Sequence, residues 1–204
     1  MIKNIVFDMG NVILRWDPEY IANKLSNNLN EQRVIIKELF NSRQWQMLDQ
    51  GTISLDEALQ QIYLQTNKEY HDLLKYALYH WYDYLEIFDE MVPLIKELKQ
   101  QDYKIYLLSN CGLQIKDYFH KVAAFKYFDD FYISAHNHLL KPDIQIYKHF
   151  LTKFNLVAEE CIFIDDILVN VEGAERVGMS AYLYDGNIDD LRSFLKKSIS
   201  MINY

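Results

Sequence analysis

Five polar residues stand at the ends of short apolar runs, which is where an open parallel sheet binds its ligands. These residues are Asp8, Ser109, Asn110, Asp165 and Asp166. A single acid in such a place is often only the N-cap of the next helix, but five polar residues on three runs indicate a common site. A carboxylate such as Asp8 can act as a nucleophile and form a covalent intermediate. The first question is therefore whether Asp8 attacks a substrate, and which group then gives that substrate a proton.

Lys141 is a candidate cation for the same site. It stands directly before Pro142, which predicts a helix whose first turn begins at that proline and whose positive dipole end lies close by. The chain has 29 acidic and 21 basic residues and a net charge of −8, so it exerts no long-range attraction on an anionic ligand. Any anion site must be local, and Lys141 either forms part of it or is simply solvated.

The elements that must position these side chains are short runs of β-branched and aromatic residues. They occupy residues 4–8, 104–109, 130–134, 161–166 and 180–184. After residue 100 the runs alternate with helix-length segments, which predicts a parallel sheet covered by helices on both faces. The expected fold class is therefore α/β, with a Rossmann-like parallel sheet.

A helical segment is inserted between the first two runs. Roughly ninety-five residues separate them, several times what one crossover helix needs. Residues 16–88 have helical spacing, with helix start signals at Asp17, which precedes a proline, and at Ser54, which opens a capping box. We predict a core domain made of residues 1–15 and 89–204 and an inserted cap domain made of residues 16–88.

Composition excludes several classes of protein. The chain has 204 residues, half of them hydrophobic, so it can bury a sizeable core without disulfides or structural metals. Its negative charge disfavours nucleic acid and anionic membranes, and no stretch reaches the length of a membrane span. Cys111 and Cys161 lack the spacing of a zinc site or disulfide framework, and no cleavable leader precedes the first strand. We expect a cytoplasmic monomer or weak homodimer that binds neither nucleic acid nor membranes.

Four segments occur in the order of the motifs of the haloacid dehalogenase (HAD) superfamily, and the chain resembles this superfamily over essentially its whole length. The segments are FDMGNVIL, LLSN, LLKPDIQIY and FIDDILVNVEGAERVGM. They look most like the branch that contains glucose-1-phosphate phosphatases and the N-terminal phosphatase domain of soluble epoxide hydrolases. Most superfamily members are phosphatases with a helical cap inserted after the first strand. The resemblance therefore implies both a reaction class and the place of the insertion.

The resemblance implies that Asp8 attacks phosphorus in line and forms an aspartyl-phosphate. It also implies Mg²⁺ as a cofactor, with Asp8, Asp166 and the backbone carbonyl of Gly10 as protein ligands. These oxygen atoms are the donors that Mg²⁺ prefers. The metal would offset the repulsion between the carboxylate nucleophile and a phosphate dianion.

The same resemblance implies roles for five residues. Ser109, Asn110 and Lys141 would bind the phosphate of the substrate, and Lys141 would also be catalytic. Asp165 would orient Lys141 or a metal-bound water. Asn170 would support the metal ligands from outside.

Position 10 departs from the superfamily pattern. Most phosphatases of this kind read D-x-D, and the second acid protonates the leaving alcohol, but here that acid is replaced by Gly10. Neighbouring Asn11 can hydrogen-bond but cannot carry a proton, and general acid–base help typically contributes about 10²–10⁴-fold. The substrate then has a good leaving group, such as an anomeric sugar phosphate, or a cap residue or water supplies the proton, or the protein is slow or inactive. A dehalogenase is less favoured, because Asp165 and Asp166 preserve a metal-type acidic cluster.

We therefore expect a Mg²⁺-dependent phosphatase acting on a small phosphorylated metabolite, with a sugar phosphate as the favoured substrate. One alternative is a non-catalytic member of the fold that binds a phosphorylated ligand or a protein. Another is a phosphotransferase or mutase. The aromatic stretch 76–88 predicts either the core of the cap or a surface for sugar stacking, and Trp16 is the aromatic residue most expected near a ligand.

Overall fold

A five-stranded parallel sheet forms the centre of the protein in this computed structural model, which describes residues 1–200. The strands are β1 (Asn4–Phe7), β2 (Lys104–Ser109), β3 (Asp130–Ile133), β4 (Cys161–Asp165) and β5 (Ser180–Leu183). Their order across the sheet is β3-β2-β1-β4-β5, and every neighbouring pair is parallel. Each strand coincides with a predicted run to within a residue, so the α/β, Rossmann-like fold class is confirmed.

The strand order brings the polar strand ends to one edge of the sheet. β1 is central, and Phe7 pairs with Leu107 of β2 and with Ile164 of β4. Asp8 and Asp165 are the next residues on β1 and β4, so they emerge side by side. Parallel strands expose all their carboxyl ends at the same edge, where such sheets bind ligands.

Both faces of the sheet are buried, as the alternation of strands and helices predicts. Successive residues of a strand point to opposite faces, and Ile5 and Phe7 belong to one apolar cluster while Val6 and Phe163 belong to a second. None of these four side chains is exposed. Burial on both faces explains why the strands read as nearly continuous hydrophobic runs.

The inserted segment is helical. It contains α1 (Pro18–Leu25), α2 (Leu29–Val34), a π-helical segment (Ile35–Phe40), α3 (Arg43–Gln50), α4 (Leu55–Gln65), α5 (His71–His80) and a 3-10 helix (Trp81–Tyr84). Asp17 caps α1 by accepting a bond from the Tyr20 N–H, and Ser54 and Glu57 form the predicted capping box of α4. Gly51 ends α3 with a φ of 71°, which glycine adopts without strain.

The two chain segments that join the insertion to the core pair with each other. The Arg15 N–H donates to the Glu86 carbonyl at 2.8 Å, and the Phe88 N–H donates to the Ile13 carbonyl at 2.9 Å. The insertion therefore leaves and rejoins the core at one place. Its division from the core at residues 16 and 88 stays a prediction.

The core helices follow the insertion. They are α6 (Met91–Gln100), α7 (Ile115–Tyr118), α8 (Ser134–Asn137), α9 (Ile144–Lys153), α10 (Leu168–Glu175) and α11 (Ile188–Ser200). The prediction that a helix starts at Pro142 is wrong, because the Asp143 side chain caps α9 by accepting a bond from the Gln145 N–H at 2.9 Å. Lys141 therefore lies in a loop before the cap. Within residues 1–200, no helix combines the length and apolar character needed to cross a bilayer.

Candidate active site

Asp8 lies buried directly after β1. Its N–H donates to the Ile164 carbonyl at 2.8 Å, which extends the pairing with β4 by one residue. Carboxylate oxygen Oδ1 lies 2.7 Å from the Lys141 ammonium, although no donor among the described residues is aligned with it for a hydrogen bond. Burial raises the pKa of Asp8 to about 6, against the opposing effect of Lys141. Asp8 thus presents a buried carboxylate whose Oδ1 is held beside the Lys141 ammonium.

Lys141 bridges two buried carboxylates. Its Nζ lies 2.7 Å from Asp8 Oδ1 and 2.6 Å from Asp165 Oδ2, and only 1% of its side chain is exposed. Burial alone would lower the pKa of this amine, but the charges of Asp8 and Asp165 outweigh burial and raise it. Lys141 is therefore a fixed positive charge at the edge of the sheet, as a local anion site in an acidic protein requires.

Asp165 is committed to protein groups through both carboxylate oxygens. Oδ1 accepts from the Ile167 N–H at 2.8 Å and from Asn170 Nδ2 at 3.0 Å, while Oδ2 accepts from Lys141. The Tyr147 hydroxyl in turn donates to the Asn170 carbonyl at 2.8 Å. Two roles were predicted for Asp165, and this arrangement supports the one in which Asp165 orients Lys141. Asn170 contacts Asp165 directly, through its side-chain amide.

The side chain of Asn110 holds the loop that carries Lys141. Its Nδ2 donates to the Lys141 carbonyl at 3.0 Å, and its Oδ1 accepts from the Lys141 N–H at 2.8 Å. At most one hydrogen of the Asn110 amide is left for a ligand. Asn110 therefore positions the Lys141 backbone, a role that the sequence analysis did not predict. Ser109 ends β2 and lines the cavity beside Asp8, where its hydroxyl stays the predicted phosphate donor.

Gly10 packs closely against Trp16. A Cβ at position 10 would lie 3.2 Å from the Cβ of Trp16, well inside the optimal carbon–carbon separation of about 3.5–4.0 Å. Asn11 accepts from the Trp16 N–H at 3.0 Å and donates to Asp166 Oδ2 at 3.0 Å. Position 10 therefore supplies only backbone atoms. Its neighbour Asn11 joins Trp16, at the start of the inserted segment, to the Asp166 carboxylate.

A cavity of about 190 Å³ adjoins these residues. Its polar lining includes Asp8, Ser109, Lys141 and Asp166 from the core. Its aromatic lining consists of Tyr118 and the tryptophan wall, which we define as Trp16, Trp45 and Trp81, all the tryptophans of the chain. Each pair of these indoles has ring centroids 5.3 Å apart, and the first two are stacked. Trp16 lines this cavity, and its place near a ligand stays a prediction.

Comparison with known proteins identifies the family. Residues 2–178, most of the chain, match the haloacid dehalogenase-like hydrolase family. The chain is a HAD-like hydrolase. Within this family it is similar to a sesquiterpene phosphatase from Aspergillus oryzae (strain ATCC 42149 / RIB 40), with 30% identity over 184 residues that cover 87% of each chain.

Solved structures of HAD enzymes share the fold. A HAD family enzyme from Bacteroides thetaiotaomicron, crystallised with magnesium and inorganic phosphate, superposes with a TM-score of 0.76 at 23% identity, covering 94% of this chain and 99% of that one. A predicted HAD-like family hydrolase from Porphyromonas gingivalis gives a TM-score of 0.76 at 25% identity, with 96% and 98% coverage. The HAD fold therefore extends over nearly the whole chain.

The acidic edge of this HAD-like hydrolase fits the predicted Mg²⁺. Asp8, Asp165 and Asp166 present carboxylate oxygens within 4.8 Å of one another, against the single positive charge of Lys141. Burial raises the pKa of Asp166 as well as that of Asp8, and a divalent cation would offset this cost. Asp165 is saturated by protein donors, which leaves Asp8 and Asp166 as the carboxylates available to the ion, and the Gly10 carbonyl stays the predicted backbone ligand.

Asp49, Trp81 and Gln114 also line the cavity, and none was predicted individually, although Trp81 lies in the aromatic stretch 76–88. Asp49 follows Trp45 by four residues on α3, a spacing that places both on one helical face and was the available signal. Trp81 donates to Gln114 at 3.3 Å, and Gln114 donates to the Leu78 carbonyl at 3.0 Å. These last two residues reach the cavity only because the insertion packs on the core, which no local pattern encodes.

Proposed function

We propose that this HAD-like hydrolase is a Mg²⁺-dependent phosphatase that cleaves a small phosphorylated metabolite through an aspartyl-phosphate on Asp8. The observation that carries this proposal is the Asp8 carboxylate, which is buried at the sheet edge with Oδ1 free of an aligned donor and beside Lys141. A nucleophilic oxygen must be held in place yet remain available for attack. The similarity to a protein named as a sesquiterpene phosphatase supports phosphoryl chemistry.

In the first step, a carboxylate oxygen of Asp8 attacks phosphorus, and the bond between phosphorus and the leaving oxygen breaks. An acyl phosphate forms on Asp8, and the leaving oxygen takes up a proton. Lys141 counters the charge of the phosphoryl group, and the Ser109 hydroxyl donates to one of its oxygens. Mg²⁺ held by Asp8, Asp166 and the Gly10 carbonyl would further neutralise the charge of the nucleophile and the phosphate.

In the second step, water attacks phosphorus, and the bond from phosphorus to Asp8 breaks. The Asp8 carboxylate is restored, and inorganic phosphate leaves. During both steps Asn110 and Asp165 hold Lys141 in one position through their bonds to its backbone and its ammonium. This preorganisation is what makes a fixed charge effective in catalysis.

The cavity favours a substrate whose organic part is apolar. The tryptophan wall and the half-exposed side chain of Ile167 offer apolar surface next to the phosphate site. The amides of Asn11, Asn170 and Gln114 are already bonded to protein groups. Sugar hydroxyls buried against such a wall would lose their hydrogen bonds to water without replacement. We therefore place the phosphate ester of an isoprenoid-like alcohol first among substrates.

A sugar phosphorylated at its anomeric oxygen is the second candidate. Gly10 provides no proton donor, and the anomeric leaving oxygen is more acidic than that of a simple alcohol, so it needs less help. Aromatic faces such as the tryptophan wall also pack on sugar rings.

Phosphate release from a small panel tests the proposal. The panel contains geranyl monophosphate, an anomeric sugar phosphate and its non-anomeric isomer, each with Mg²⁺ or with excess EDTA. We expect release that EDTA lowers by at least about 100-fold and that is fastest for geranyl monophosphate. No release from any ester would instead indicate a binding protein, and release only in the presence of an acceptor sugar would indicate a phosphotransferase or mutase. Faster release from the anomeric ester would support the second substrate.

Truncation of the tryptophan wall should change substrate preference. We expect Trp45→Ala to lower kcat/KM for geranyl monophosphate by about 10- to 100-fold, equivalent to roughly 1.5–3 kcal/mol of lost apolar contact. The value for methyl phosphate, which is too small to reach the wall, should change much less. Leu64→Ala, at an exposed cap position, is the matched control. Equal losses for both esters would show that Trp45 serves the fold and not the substrate.

A further inference from the structure

Asp49 is a carboxyl group of the inserted segment that lines the same cavity as Asp8 and Gly10. We propose that Asp49 is the general acid and base that position 10 lacks, so that the proton comes from the cap and not from the loop after β1. This role rests on the proposed phosphatase function. It would explain how a site without a second acid at position 10 can cleave the ester of a simple alcohol.

Asp49 lies in the cavity that the leaving group of a substrate at Asp8 would enter. Asp49 lies in the last turn of α3, four residues after Trp45, and its carboxyl lies beside the Gly112 backbone, with Oδ1 3.8 Å from the position that a Cβ of residue 112 would take. Gly112 is three residues past Ser109, in the loop that follows β2. Asp49 thus lines one cavity together with the phosphate-binding residues and the tryptophan wall. The oxygen that joins the phosphoryl group to an apolar group must occupy this same cavity.

The end of α3 is fixed to the core and does not hang over the site as a free lid. The Ser134 hydroxyl donates to the Asp49 carbonyl. A Cβ at Gly51 would lie 2.0 Å from the Ala135 carbonyl oxygen, so the chain approaches α8 as closely as glycine allows. A proton donor needs this kind of fixed placement relative to the reacting atoms.

The surroundings of Asp49 favour its protonated form. Asp49 as a whole residue is partly exposed. Burial of its carboxyl group raises the pKa of that group well above the usual range, and the Gly112 backbone N–H partly opposes this rise. The titratable groups that face it are the Cys111 thiol and the Tyr118 phenol, whose own pKa values burial also raises. Both are thus neutral, and Asp49 can carry a proton where an ordinary aspartate would already have lost it.

The proton balance closes over one turnover. As Asp8 attacks phosphorus and the ester bond breaks, the Asp49 carboxyl gives its proton to the leaving oxygen, which departs as an alcohol. The resulting Asp49 carboxylate then takes a proton from the water that attacks the aspartyl-phosphate. Inorganic phosphate leaves, and both aspartates return to their starting forms.

Two aryl-containing esters of similar size separate a proton donor from a structural residue. Benzyl phosphate has a poor leaving group that needs a proton, whereas para-nitrophenyl phosphate releases a stable phenolate without one. We expect Asp49→Asn to lower kcat/KM for benzyl phosphate by about 10²–10⁴-fold and that for para-nitrophenyl phosphate by less than about tenfold. Because kcat/KM reports the steps up to formation of the aspartyl-phosphate, slow hydrolysis of that intermediate does not mask the difference. Asp72→Asn, an exposed carboxylate of the cap, should change neither value.

Other outcomes for Asp49→Asn would overturn the assignment of Asp49 as the proton donor. Equal losses for the two esters would show that Asp49 serves binding or folding, and unchanged values would show that it has no part in the reaction. Asp49→Glu keeps the acid but moves it by one methylene, so it should retain benzyl phosphate activity between those of the native protein and Asp49→Asn. Failure of the native protein to hydrolyse either ester with Mg²⁺ would reject the proposed function itself.

Discussion

Replacement of Asp8 by asparagine should lower the rate of phosphate release by at least about 10³-fold, because an amide cannot form the acyl phosphate that divides hydrolysis into two steps. The replacement is nearly isosteric, and the Asp8 N–H keeps its bond to β4 through Ile164. The replacement also removes a buried carboxyl group, the pKa of which is raised by burial. We therefore expect the variant to fold with thermal stability close to that of the native protein.

Three measurements make this prediction decisive. Phosphate release with Mg²⁺ gives the rate, and thermal unfolding shows that the variant is folded. Intact mass after rapid acid quench should reveal one added phosphoryl group on the native protein and none on Asp8→Asn. Asp189→Asn, at an exposed position of α11, is the matched control and should behave as the native protein does. Phosphate release that persists in a folded Asp8→Asn protein would reject the aspartyl-phosphate mechanism.

Loss of the Lys141 ammonium should have the largest effect on stability. We expect Lys141→Met to lower the free energy of unfolding by about 3–5 kcal/mol in EDTA, since it leaves the buried carboxylates of Asp8 and Asp165 without their shared counter-charge. Methionine preserves most of the side-chain volume, so the loss reflects charge and not a cavity. Chemical denaturation followed by fluorescence of the tryptophan wall measures this free energy.

A second substitution tests the cause of that loss. Lys141→Met combined with Asp165→Asn removes one of the uncompensated carboxylates, so it should recover part of the stability without recovering activity. Lys104→Met removes an exposed lysine that pairs with Asp129 at 3.1 Å and should cost less than about 1 kcal/mol. A loss for Lys141→Met as small as that of Lys104→Met would contradict the view of Lys141 as a buried counter-charge.

Local patterns in the sequence predict most of the fold. The β-branched run at 161–166 becomes β4, and the pairing of Ser54 with Glu57 becomes the capping box of α4. Such signals work because hydrogen bonding and side-chain direction within one element depend on neighbouring residues only. The start of α9 is the exception, because Pro142 and Asp143 both signal a helix start and the capping side chain of Asp143 prevails.

Part of the candidate site follows from the same local reasoning. Asp8, Asp165 and Asp166 could be placed together because each follows an apolar strand, and the strands of a parallel sheet end at one edge. Lys141 was a candidate for that edge because an acidic protein needs a local cation there, and the resemblance to the HAD motifs gave it a role. The structure places its ammonium between two of those carboxylates.

The sequence by itself determined the strands, the helical insertion and the acidic edge, whereas only the tertiary structure decided what surrounds that edge. The bonds from Asn110 to the Lys141 backbone, the meeting of the three indoles of the tryptophan wall, and the approach of Asp49 to Gly112 all join residues far apart in the chain. Strand and helix periodicity show which face of an element is buried, but not which other face it meets. That choice depends on how the insertion packs against the core, and so the apolar wall and the carboxyl beside it are properties of the folded protein.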